Sequence, residues 1–124
     1  VVKTTAYRLA RWRNAHDPYD TGVEPIPERI ITRPPSAELR PGQTDQDSLP
    51  PYEVLDAIIA RYVEENASIA ELLAEGFAPA DVDRVTRLIK SSEYKRQQSA
   101  VGTRVTRRAF GNDWRYPMTH RFRV

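Results

Sequence analysis

Apolar residues recur at helical intervals in four stretches of the chain, separated by segments where proline breaks any period. Over residues 1–14, Ala6, Leu9, Ala10 and Arg13 share one side, with Val2 a turn earlier, and Lys3, Arg8 and Arg11 lie mostly elsewhere. That spacing predicts a helix with a basic face. Pro50 and Pro51 open a second helix, because proline's fixed φ and missing N–H are tolerated in a first turn. Its buried side is Leu55, Ile58, Ile59, Tyr62 and Val63. Ser68-Ile69-Ala70-Glu71 has the form of a capping box. Ile69, Leu72 and Leu73 form the apolar side of the third helix, and Gly76 suits the position just past its end. Pro79 starts a fourth, with Asp81 and Asp83 near its positive end and Val82, Val85, Leu88 and Ile89 facing inward.

The intervening segments are less regular. Residues 15–50 hold most of the prolines, and only Arg29-Ile30-Ile31-Thr32 reads as an extended piece. A polar, proline-punctuated run from Pro34 to Tyr52 is long for a structureless segment in a compact domain, unless it covers a site or orders on binding. After Ser91-Ser92 comes a short basic turn, Glu93 to Gln98; beyond Ser99, Gly102, Gly111 and Pro117 interrupt regular structure. No strand pattern is strong enough for a sheet. The expected fold is mainly α, about four helices plus long irregular loops. Such a chain is either all-α or the helical flank of a sheet supplied upstream. The expected organisation is a helix over 1–14, a proline-rich loop over 15–50, a helical segment over 51–98 and a basic irregular tail over 99–124.

Composition narrows the class. At 124 residues the chain is one domain or a piece of one. It has no cysteine, hence no disulfide and no thiol nucleophile. No apolar run is long enough to span a bilayer and no secretory signal opens the sequence, so a cytoplasmic protein without membrane partners is expected. The only methionine is Met118, and Val1-Val2-Lys3-Thr4 reads as a helix already under way, so a fragment of something longer is expected, a processed start being the alternative. The formal net charge is +2, but residues 1–83 carry 8 basic and 15 acidic side chains, whereas 84–124 carry 11 basic and 2 acidic. A concentrated positive tail calls for an anionic neighbour: phosphates, nucleic acid or an acidic protein surface.

Several residues could carry chemistry. Lys3 could place a point charge on a nucleotide phosphate, or be an ordinary exposed lysine. Ser36 follows two prolines that hold the chain extended, so its hydroxyl could meet a phosphate oxygen, or make only a local turn. Asp45 and Asp47 have the spacing of some cation loops but lack the further ligands and turn glycine. His16 and His120 stand alone, and no metal is assigned. Tyr94 precedes Lys95 and Arg96, an arrangement suited to stacking a base and pairing a phosphate, or to complementing a helix C-terminus. Phe110, Trp114, Tyr116 and Phe122 lie among Arg104, Arg107, Arg108, Arg115, Arg121 and Arg123. This pattern suits single-stranded nucleic acid or subunit docking.

Lys3-Thr4 with Tyr7-Arg8-Leu9-Ala10, Pro34-Pro35-Ser36-Ala37-Glu38-Leu39-Arg40-Pro41-Gly42-Gln43, Asp47-Ser48-Leu49-Pro50, Tyr52, Leu55-Asp56, and Glu93-Tyr94-Lys95-Arg96 with Phe110-Gly111 follow one another in an order that resembles the C-terminal part of glutamine-dependent NAD synthetase. The resemblance implies the C-terminal portion of an α/β, adenine-nucleotide-hydrolase-like (Rossmann-like) synthetase domain. It implies an ATP-dependent ligase that adenylates the nicotinate carboxylate of deamido-NAD, releases pyrophosphate, and lets glutamine-derived ammonia displace AMP. By the same resemblance Lys3 and Ser36 bind ATP, Ser36 on a loop that closes over the site. Tyr94 and Lys95 bind deamido-NAD across a dimer interface, which makes the protein a homo-oligomer. Mg2+ would be held by carboxylates upstream, in the rest of the synthetase domain. The family's Ser-Gly-Gly-x-Asp-Ser pyrophosphatase loop and the Cys-Glu-Lys set of its glutaminase domain are not in these 124 residues. No catalytic residue is therefore assigned here, and the isolated chain is expected to be inactive. Trp114 stands where the resemblance leads one to expect arginine. The competing expectation is a non-catalytic basic module for nucleic acid or subunit docking. Alone, the chain is expected to expose an apolar face, and to dimerise or be partly disordered.

Overall fold

The computed structural model describes residues 1–33, 49–100, 102–108, 111 and 113–119. The chain divides into two compact units, Val1–Tyr52 and Glu53–Val124.

In the first unit α1 runs from Lys3 to Ala15 and α2 from Glu28 to Thr32. α1 buries no residue completely, and Leu9 and Trp12 on it are exposed. Its half-buried residues are Thr4, Thr5, Tyr7, Ala10, Arg13 and Asn14, so of the expected side Ala10 and Arg13, with Val2 before the helix, are half-buried while Ala6 and Leu9 are exposed. The reason lies in what it packs against, since α1 and α2 are neighbours. The Asn14 side chain closes on the approach to α2: its Nδ2 donates to the Ile26 carbonyl at 2.7 Å and its Oδ1 accepts the Ile26 N–H at 3.1 Å. A two-pronged amide on a backbone turns that side of α1 inward. Between the helices Asp17 accepts from the Tyr19 and Gly22 amides and the Thr21 hydroxyl. Gly22 takes φ +68°, a conformation that costs glycine little.

Arg29–Thr32 is helical, contrary to the extended reading. β-branched residues favour strands only where a neighbouring strand accepts the ladder, and none is described. Instead Pro27 enters from an extended conformation, Glu28 stands at the positive end, and the Thr32 hydroxyl donates to the Glu28 carbonyl at 3.0 Å. Ile31 is buried. Arg33 returns to extended backbone, as a residue before proline should.

The second unit is better packed. α3 (Tyr52–Ile59), whose first residue is the last of the first unit, begins after the two prolines and passes into a π-helical turn, Ala60–Glu64, that the periodicity did not predict. The wider turn is closed by Glu65 N–H to Ala60 carbonyl at 3.2 Å and Ala67 N–H to Arg61 carbonyl at 2.9 Å. α4 (Ile69–Ala74) begins with the expected capping box, the Ser68 oxygen accepting from Glu71 N–H and the Glu71 carboxylate from Ser68 N–H. It ends as a Schellman turn: Gly76 (φ +92°) donates to the Leu73 carbonyl and Phe77 to that of Leu72. α5 (Pro79–Ser91) buries Val82, Val85, Thr86 and Ile89, with Leu88 half-buried. α6 (Glu93–Gln97) replaces the expected basic turn.

Ile58, Val63, Ala67, Leu72, Val82, Val85 and Ile89 form the core, with Trp114 and Tyr116 of the tail packed against it. Because the Ser68 oxygen satisfies the Glu71 amide at the entrance of a six-residue helix, Ser68→Ala should cost about 1 kcal/mol. Urea unfolding measures this, and an unchanged midpoint would mean the box adds nothing.

Candidate functional site

α6 displays two side chains and hides two others. Five residues make little more than one turn, so positions three apart share a side. Glu93 and Arg96 therefore point inward together and Tyr94 and Lys95 outward. Glu93 is 2% exposed and Arg96 8%, whereas Tyr94 is 50% exposed. Arg96 Nη2 donates to Glu93 Oε2 at 2.6 Å, and Nη1 donates to the Ile89 carbonyl in the last turns of α5, also at 2.6 Å. The Tyr116 N–H donates to the same carboxylate oxygen at 3.1 Å, and Gln97 Nε2 reaches Oε1 at 3.4 Å. Burial pushes the Glu93 carboxyl up, but the Tyr116 amide, Arg96 and Gln97 outweigh it and hold it below the usual carboxylate range.

Outside this knot, Lys95 Nζ lies 6.0 Å from the centroid of the Tyr94 ring. The exposed ring can stack on a flat heterocycle, and the neighbouring ammonium can meet a phosphate or carboxylate.

Lys3 belongs to the first unit. It is the first residue of α1, exposed, with Nζ 5.9 Å from the centroid of the buried Tyr52 ring. An ammonium set over a ring face, at a helix end with no acidic residue in its first turn, keeps its charge available for an anion. Ser36, and with it Asp45 and Asp47, lies outside the described residues. Among the described residues no group of three His, Cys, Asp or Glu could hold a metal ion, and no helix is long and apolar enough to cross a membrane.

The tail uses its described aromatics for packing. The Trp114 ring lies 5.4 Å from that of Tyr62 and 6.3 Å from that of Tyr116. The Tyr62 and Tyr116 hydroxyls meet at 3.4 Å, and burial with this contact pushes the Tyr62 hydroxyl's pKa up. Arg108 lies over Trp114 and donates to the Val63 carbonyl at 2.9 Å and to Asn66 Oδ1. Arg104 faces Asp113 at 3.7 Å. Trp114 therefore has a place: it caps the core beside the π-helical turn. Arg96, Arg108, Trp114 and Tyr116 are thus committed to the fold, which removes them from the stacking platform the nucleic-acid alternative needs. Phe110 and Phe122 lie outside the described residues.

Glu93 and Tyr52 are the site-supporting residues to which sequence reasoning gave no role. For Glu93 a signal was present, an acid three residues before an arginine, the spacing of a helical ion pair. For Tyr52 there was none, since its partner lies 49 positions away in the chain.

Residues 1–99 match the family model described as NAD synthase. The chain is 51% identical over 123 residues to the glutamine-dependent NAD(+) synthetase of Thermotoga maritima, covering 99% of this chain and 21% of that protein. It is 55% identical over 126 residues to the enzyme of the same description from Rhodobacter capsulatus, covering 99% of this chain and 23% of that one. It is similar in structure to the glutamine-dependent NAD+ synthetase of Acinetobacter baumannii, solved in complex with ADP, with a TM-score of 0.54, 42% identity, and coverage of 95% of this chain and 19% of that chain. The chain is a helical segment that belongs to the NAD synthase family. It spans about a fifth of the length of the glutamine-dependent NAD(+) synthetases it matches.

Proposed function

We propose that this chain is the C-terminal segment of the synthetase domain of a cytoplasmic, glutamine-dependent NAD synthetase, and that it supplies contacts to ATP and deamido-NAD. The observation that carries this reading is the match along 99% of the chain to synthetases of that description. The similar Acinetobacter baumannii enzyme was solved with ADP, which supports an adenine nucleotide as one ligand. The helices described here would then flank an α/β, adenine-nucleotide-hydrolase-like sheet formed by other parts of the longer protein.

In the proposed reaction a nicotinate carboxylate oxygen attacks the α-phosphorus of ATP, and the bond to pyrophosphate breaks. Ammonia then attacks the activated carbonyl, and AMP leaves with the bonding electrons. A free carboxylate is a poor acyl donor, so the adenylate is what makes amide formation feasible. Lys3 would neutralise part of the triphosphate charge, with Ser36 adding a hydroxyl contact from the proline-rich loop. Tyr94 and Lys95 would hold deamido-NAD by stacking and charge, facing a second copy of the protein across a dimer interface. By the family resemblance, magnesium would be held by carboxylates elsewhere in the longer protein. Ammonia would come from the glutaminase domain.

The test is the full-length protein assayed for NAD formation from deamido-NAD, ATP and glutamine. Lys95→Ala should raise KM for deamido-NAD about 10- to 100-fold, the worth of one charge-assisted hydrogen bond, and Lys3→Ala should raise KM for ATP instead. No NAD formed, or unchanged constants in both variants, would overturn the proposal.

A further inference from the structure

Tyr94 and Lys95 sit on a helix too short to hold its own shape. Five residues give an isolated α-helix almost no stability, because nucleation outweighs the few hydrogen bonds formed. In the backbone, α6 is tied to α5 through Ser92, whose carbonyl accepts from the Lys95 and Arg96 amides at 3.0 and 3.2 Å. What fixes its rotation is the inward pair. Glu93 has three partners from two places in the chain's course: Arg96 and Gln97 within α6, and the Tyr116 amide from the tail. Arg96 in turn reaches back to the Ile89 carbonyl of α5. The carboxylate thus joins α5, α6 and the tail at one point, directly behind the two exposed side chains.

We infer that Glu93 is a positioning residue: through Arg96 and the Tyr116 amide it sets the rotation of α6, and so the aim of Tyr94 and Lys95 at the dinucleotide. This rests on the proposal that Lys95 meets deamido-NAD. A rotation of α6 by a fraction of a turn would carry the Lys95 ammonium several ångströms from its target (the side chains stand well outside the helix axis). Displacement of about 1 Å is enough to cost a large factor in recognition. The effect must be selective. Lys3, proposed to meet ATP, lies in the other unit, on α1.

Steady-state kinetics of the full-length enzyme test this. Glu93→Gln keeps the shape but removes the charge that holds Arg96. It should raise KM for deamido-NAD about tenfold, with KM for ATP within about twofold and kcat little changed. Glu93→Asp, which keeps the charge, should recover part of the loss. In a Lys95→Ala background Glu93→Gln should add almost nothing, because both act through the same contact. If Glu93→Gln does not yield folded enzyme, Arg96→Lys takes its place, since lysine keeps the charge but loses the fork that spans Glu93 and Ile89. The same selective rise is expected.

An unchanged KM for deamido-NAD in the folded variant, equal rises in both KM values, or full additivity with Lys95→Ala would each overturn the inference. The two readings fail differently. If Lys95→Ala itself leaves KM for deamido-NAD unchanged, the site assignment is wrong; if Lys95→Ala raises it and Glu93→Gln does not, only the positioning role falls.

Discussion

Leu72→Ala should lower the stability of the second unit by about 2–5 kcal/mol, and Leu73→Ala, one residue on, by no more than about 1 kcal/mol. Leu72 is fully buried among Ile58, Val63, Val82, Val85 and Ile89, whereas Leu73 is 41% exposed. Removing the Leu72 side chain forfeits its burial and leaves a cavity. The surrounding elements are poorly placed to close it. α4 is held at both ends, by the Ser68–Glu71 box at the start and the Schellman turn at Gly76 at the finish, so it cannot slide inward without breaking one of them. Phe77, whose amide donates to the Leu72 carbonyl, packs against the same core and would be loosened with it. Urea unfolding of the two variants measures the contrast. Equal losses would mean that α4 is rotated from the orientation described here.

That pair of leucines also shows what the sequence could and could not disclose. Both were expected on the apolar side of α4, and the helical period alone cannot choose between neighbours when the stripe is wide. The box at Ser68 and the glycine at 76 were legible because capping is local chemistry, satisfied by residues a turn apart. The π-helical turn was not, because an extra residue in a turn leaves the apolar spacing almost intact: Ile58 and Val63 are buried whether or not the helix widens between them. Arg29–Thr32 looked extended because two adjacent isoleucines fit a strand, and only the nearness of α1 shows why a single helical turn serves instead. For the candidate site, Lys3, Tyr94 and Lys95 could be named from their motifs, and all three are exposed. Glu93 and Arg96 are charged residues that periodicity would send to solvent. Glu93 is held by the Tyr116 amide, 23 positions later, which no local pattern could announce.

That buried pair is also where the chain should be most sensitive to acid. Glu93→Ala should destabilise the second unit by about 3–5 kcal/mol, because it leaves the Arg96 guanidinium buried with its counter-charge gone. The same interaction fixes the direction of the pH dependence. The Glu93 carboxyl is held below its ordinary value of 4.5 in the folded chain, so the folded state favours the ionised form. Its contribution is therefore fully present above about pH 5.5, where the unfolded carboxyl is ionised too. It declines as pH falls through 4.5, where the unfolded chain begins to take up the proton, and is lost once the folded carboxyl is protonated. A thermal-unfolding series from pH 7 to pH 3 should show the native protein losing stability as pH falls through 4.5 and Glu93→Ala following a flatter course, so that the gap between them narrows toward the acid end. The narrowing is the informative feature. A mutation that merely left a hole in the packing would displace the whole curve by a constant amount, whereas removal of a charge that protonation also removes must stop mattering once the proton has arrived. Parallel curves would show that Glu93 acts through its volume, and the carboxylate could not then be what draws Arg96 and the Tyr116 amide together.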